Sequence, residues 1–115
     1  MQTTIGIKSY GNKDWVYVRC VGELDMAAAD GFRREVMIAL QQTQLRRLLI
    51  DVSGLSFIDS SGLGVILGRH RQLAALGGQV AITGANEAVY RLLVAGGLHR
   101  VMIIDPPRSS REVRR

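Results

Sequence analysis

With 115 residues, 47% of them hydrophobic, and a net charge of +5, the chain suits one domain with a substantial core and is not a disordered segment. No apolar run approaches the roughly 20 residues that cross a bilayer, and residues 1–14 lack the apolar stretch of a secretory signal, so a cytoplasmic protein with no membrane partner is expected. The single Cys20 excludes an internal disulfide, and His70 and His99 stand alone, so neither a metal site nor a cofactor is expected.

Residues 3–9 and 14–21 read as two strands of a hairpin turning through Gly11-Asn12-Lys13. In the second strand Trp15, Tyr17 and Arg19 alternate with Val16, Val18 and Cys20, which makes Cys20 a core residue. Asp25 is placed to N-cap a helix over 27–41, whose Phe32, Val36, Ala39 and Leu40 recur at helical spacing. The unbroken run Leu48-Leu49-Ile50-Asp51-Val52 predicts a parallel strand covered by helices on both faces, with Asp51 organising a turn through Ser53-Gly54.

A second helix is predicted over 61–76, with Leu63, Ile66, Leu67, His70, Leu73 and Ala74 on one stripe and Gly77-Gly78 as its left-handed stop. On that stripe His70 is packing rather than a catalytic base. Residues 80–83 form a strand, Asn86 caps a helix carrying Val89, Leu92 and Leu93, and Gly96-Gly97 ends it before a last strand over 101–104. The order β-β-α-β-α-β-α-β defines one α/β domain over residues 1–104, a mixed β-sheet with an N-terminal hairpin and helices packed on it. Residues 105–115 hold four of the 15 basic residues and read as a solvated, flexible tail. The other basic residues come as separated pairs without interleaved aromatics, so direct nucleic-acid binding is not expected.

Between strand and second helix, Asp59-Ser60-Ser61-Gly62 sets a hydroxyl beside a carboxylate at a helix N-terminus, where unpaired N–H groups and the dipole favour an anion. Enzyme chemistry fits poorly there. Ile58 stands where a hydrolase elbow needs glycine, and no downstream acid and histidine complete a triad. The glycines from Gly62 to Gly68 miss the dinucleotide spacing, and Gly64 and Gly68 are read instead as letting the helix approach a neighbouring surface. An aspartyl phosphoacceptor at Asp51 lacks its acidic cluster and late lysine, since no lysine follows Lys13. The plain structural reading of Ser60 makes it the helix N-cap and nothing more.

Gly22-Glu23-Leu24-Asp25, the segment from Leu55 to Arg69, and Gly96-Gly97-Leu98 resemble the STAS domain of bacterial anti-sigma-factor antagonists, over residues from about 5 to 104. The resemblance implies a non-catalytic switch protein in which Ser60 accepts phosphate. It implies as partners a serine kinase that doubles as the anti-sigma factor and a serine phosphatase that removes the phosphate. Asp25, Asp59, Ser60, Ser61, Gly62 and Leu63 then form the partner-binding rim: the unmodified form binds the anti-sigma factor and releases a sigma factor, and phosphorylation ends that binding. Two other classes stay open, a non-phosphorylated STAS scaffold in a larger signalling assembly and a nucleotide-binding module, though no Gly-Lys-Ser/Thr loop supports the latter.

Overall fold

A computed structural model describes residues 1–107. The chain forms β1 (Gln2–Tyr10), β2 (Lys13–Leu24), α1 (Met26–Thr43), β3 (Arg47–Ile58), α2 (Ser60–Ala74), β4 (Gln79–Thr83), α3 (Glu87–Ala95), a 3-10 turn at Leu98–Arg100 and β5 (Ile103–Ile104). The five strands lie in chain order, β1 antiparallel to β2 and the rest parallel. Gly11 and Asn12 both take positive φ, 60° and 65°, the backbone of a two-residue hairpin turn whose twist matches its strands.

Every helix packs on one face of the sheet. Val16, Val18, Cys20, Leu48, Ile50, Val52, Val80 and Ile82 point into a single core with Phe32, Val36, Ile66, Leu73, Val89 and Leu93 from the helices. Burial pushes the Cys20 thiol up to about 12, so it stays protonated and inert. The opposite face departs from the expectation of helices on both sides. There Trp15, Leu49 and Ala81 are buried under Tyr10 and Tyr17, with no helix residue in the cluster. Tyr10 and Trp15 meet edge to face at 5.3 Å, so aromatics of the hairpin shelter what a second helical layer would cover.

β3 is 12 residues long and runs through Ser53-Gly54 without turning. Asp51 Oδ1 does accept the Ser53 N–H at 2.9 Å, but this bond braces a bulge: Arg19 pairs with Asp51 and Val21 with Gly54, so β3 carries one extra residue. Tyr17 donates its hydroxyl to Asp51 Oδ2 at 2.5 Å. Burial alone would raise the Asp51 pKa, yet the bonds from Tyr17 and Ser53 outweigh it and hold the group below its ordinary 3.8. A depressed carboxylate stabilises the fold above its unfolded pKa and ceases to as pH falls through the folded value. Tyr17→Phe is therefore expected to cost about 1 kcal/mol at neutral pH, with the deficit shrinking in acid, as urea titrations at several pH values would measure.

α2 begins at Ser60 and ends at Ala74, earlier at both ends than the apolar stripe predicts. Gly77 takes the left-handed φ of 76°, and Gly78 N–H bonds Leu73 O at 2.7 Å. A Cβ built on Gly64 or Gly68 meets nothing within 4 Å, so neither glycine serves close packing among the described residues. β5 covers only 103–104 because the amides of Val101 and Met102 both close onto Leu98 O. Of the basic extension, Asp105 donates its N–H to Ile82 O at 2.9 Å and Pro107 is buried, while residues 108–115 lie outside the described residues.

Candidate functional site

The last residues of β2 and β3, Leu24 and Ile58, are paired neighbours in the parallel sheet, so α1 and α2 start side by side at one end of it. Each start is closed by an aspartate. Asp25 Oδ1 accepts Ala28 N–H at 3.0 Å, and Asp59 Oδ1 accepts Gly62 N–H at 3.0 Å. The second oxygen of Asp59 reaches across 33 residues to the Met26 N–H of α1 at 3.1 Å. One carboxylate thus holds two helix N-termini together, and Asp59 N–H returns a bond to Leu24 O at 3.3 Å. Asp59→Ala should cost about 2 kcal/mol in thermal unfolding, the upper range for losing a cap, because two N–H groups lose their acceptor.

This arrangement removes the reading of Ser60 as N-cap. The cap is Asp59, whose backbone is extended (φ −105°, ψ −173°) and whose side chain accepts the Gly62 N–H. Ser60 falls on the first helical residue, exposed, and its hydroxyl makes no hydrogen bond among the described residues. Two positive helix ends, each equivalent to about half a charge, face two carboxylates already bound to backbone N–H groups.

The other predicted rim residues divide. Ser61 is half-buried and lines a shallow groove between α1 and α2 with Met26, Ala29, Asp30, Arg33 and Val65. Gly62 is buried: a Cβ there would lie 2.2 Å from Leu24 O, so only glycine lets α2 start this close to β2. Leu63 is half-buried and turns toward the end of α3, where a Cβ on Gly96 would lie 3.0 Å from its Cδ1. On the outer side of α2, Ser60, Gly64 and Gly68 recur every four residues and leave a lane without bulky side chains. Sequence reasoning missed Met26, which is 77% exposed, and Arg33; with Asp30 and Met37 they recur at helical spacing on α1, a pattern that could have marked the groove.

The family model described as STAS domain matches residues 7–112. The chain belongs to the STAS domain family. This STAS domain is 41% identical over 87 residues to the anti-sigma F factor antagonist of Paenibacillus polymyxa, covering 76% of this chain and 74% of that one. It is 30% identical over 106 residues to the anti-sigma-B factor antagonist of Bacillus subtilis, covering 91% of this chain and 93% of that one. Among solved structures it is similar to the Bacillus cell fate determinant SpoIIAA in its phosphorylated form, with a TM-score of 0.63 and 26% identity over 97% of this chain and 100% of the other. Among the described residues no helix of the STAS domain is long and apolar enough to cross a membrane.

Proposed function

We propose that this STAS domain is an anti-sigma factor antagonist switched by phosphorylation of Ser60. The unmodified form binds a cytoplasmic anti-sigma factor that is also a serine kinase, which frees a sigma factor; phosphate on Ser60 ends the complex, and a separate serine phosphatase resets it. The domain acts as substrate and binding partner, not as catalyst. The observation that carries this reading is the Ser60 hydroxyl itself, exposed and unbonded among the described residues because Asp59 has taken over the capping role. The bare lane of Gly64 and Gly68 supports it further, since a partner can lie close against α2 beside that hydroxyl.

The energetics favour exclusion of the partner over a change of fold. A phosphate adds about −1.5 to −2 charges and three acceptor oxygens. Each helix N-terminus favours that charge by roughly 0.3 to 1 kcal/mol, and the two aspartates oppose it, so the local terms nearly cancel. A protein packed over Ser60 would instead have to desolvate a multiply charged group. The test is incubation with the cognate kinase and ATP, followed by mapping of the modified residue. Phosphate on Ser60, absent in Ser60→Ala, is expected; incorporation elsewhere, or undiminished in Ser60→Ala, would reject the assignment.

A further inference from the structure

The two edges of the sheet are finished differently. β5 is two residues long, and the chain leaves it through the Asp105 N–H bond to Ile82 O and Pro106-Pro107. β1 is nine residues long and pairs with β2 in unbroken register; it contains no proline, and its one charged side chain, Lys8, lies over the Tyr17 ring at 4.2 Å. Shortness and proline blunt the β5 edge, and β1 has neither, nor a bulge. The two-residue turn at Gly11-Asn12 makes Tyr10 and Lys13 a hydrogen-bonded pair, so Gln2, Thr4, Gly6, Lys8 and Tyr10 spend their backbone groups on β2, whereas Thr3, Ile5, Ile7 and Ser9 direct theirs outward. No backbone group among the described residues pairs with that outer row.

The same four side chains lie on the helix-covered side of the sheet, since Thr3, Ile5 and Ile7 stand opposite Cys20, Val18 and Val16. α1 reaches only the first of them. Thr3 donates its hydroxyl to Glu35, while Ile5 and Ile7 stay 37% and 57% exposed. Ile38, three residues after Glu35 and so on the same side of α1, is 53% exposed. An apolar strip thus runs beside an unpaired strand edge. We propose that β1 pairs with β1 of a second copy, antiparallel and centred on Gly6, joining two sheets into one. Self-complementarity identifies the occupant. In this register all nine residues overlap: Ile5 lies opposite Ile7 of the other copy, Thr3 opposite Ser9, Thr4 opposite Lys8 and Gln2 opposite Tyr10. No like charges are opposed, and the outward N–H and C=O groups meet one another. A shift of two residues either way sets an isoleucine against Thr3 or Ser9 and leaves the strands overhanging. Because α1 stands between β1 and α2, the pairing leaves the Ser60 end of each copy open, and it does not depend on the antagonist reading.

Gly6 provides a test of the register. At the centre of the pairing it faces itself across the two-fold axis as a non-hydrogen-bonded pair, with Cα atoms about 4.5 Å apart, within the span of a disulfide. A Cβ there meets nothing within 4 Å and the φ is not positive, so Gly6→Cys is expected to fold, and buried Cys20 does not compete. Sedimentation velocity of the full chain across the micromolar range is expected to show a dimer that dissociates on dilution. Ile7→Lys should weaken self-association about a hundredfold or more with little change in melting temperature. Under mild oxidation Gly6→Cys should become a disulfide-linked dimer, while Thr4→Cys, four residues out of line with its own copy, stays reduced. A wild-type chain that remains monomeric throughout, leaving this edge to a strand of some other protein, would overturn the proposal. So would a dimer undisturbed by Ile7→Lys, or a linked Thr4→Cys beside an unlinked Gly6→Cys, since each places the contact elsewhere.

Discussion

Ser60→Asp is expected to bind the anti-sigma factor at least about a hundredfold more weakly than the wild type while melting within about 2 °C of it. The first figure follows from burial of a charge: a loss of about 3 kcal/mol already exceeds a hundredfold, and desolvating a carboxylate under a partner costs at least that. The second follows from position. The first turn of a helix accepts an acidic residue at no cost or a small gain, and Ser60 gives up no capping bond when replaced. Ser60→Ala should keep wild-type affinity and stability for the same reason. Titration calorimetry beside thermal unfolding separates the two quantities. A Ser60→Asp domain that unfolds early, or that binds as well as the wild type, would move the switch away from this hydroxyl.

Gly62→Ala should be the most damaging single methyl group in the molecule's functional end. The added Cβ would lie 2.2 Å from Leu24 O, 2.7 Å from Ile58 Cγ1 and 3.0 Å from Leu24 Cγ. The first of these is backbone at the end of β2, where it also accepts the Asp59 N–H, so it cannot move without opening the joint between strand and helix. Overpacking of this kind costs about 3 kcal/mol, with a fall in melting temperature of roughly 10 to 20 °C. Gly64→Ala, two residues along the same helix, meets nothing within 4 Å and should instead stabilise by about 0.5 to 1 kcal/mol through helix propensity. Urea denaturation of the pair gives opposite signs if the clash is the cause. Equal effects would mean that helix propensity alone governs both positions.

Local signals were legible in the sequence because they act locally. Gly11-Asn12 needed only its two neighbouring strands to specify a turn, and Asp25 and Asn86 cap the N–H groups three residues on, at Ala28 and Val89. Ser60 was marked by the join of strand and helix, although its freedom from capping was not. That freedom depends on Asp59, and the bond from Asp59 to Met26 N–H spans 33 residues that no local pattern connects. The length of β3 was hidden for a related reason. Asp51, Ser53 and Gly54 are turn-forming residues, and only the pairing of Val21 with Gly54 shows that the same side-chain bond can serve a strand with a bulge. The run Leu48–Val52 announced burial on both sides but not by what; Tyr10, Trp15 and Tyr17 supply from the hairpin what was expected from helices.

The hairpin tip and the Ser60 end are opposite terminals of one strand, because β2 runs unbroken for 12 residues from Lys13 to Leu24. At about 3.3 Å per residue this separates them by roughly 35 Å. A dye or surface tether joined to the exposed Lys13 amine therefore occupies the far pole of the molecule from the docking end. Immobilised there, the domain would present its Ser60 end outward, and binding of the proposed anti-sigma factor kinase could be followed with the label at the opposite end.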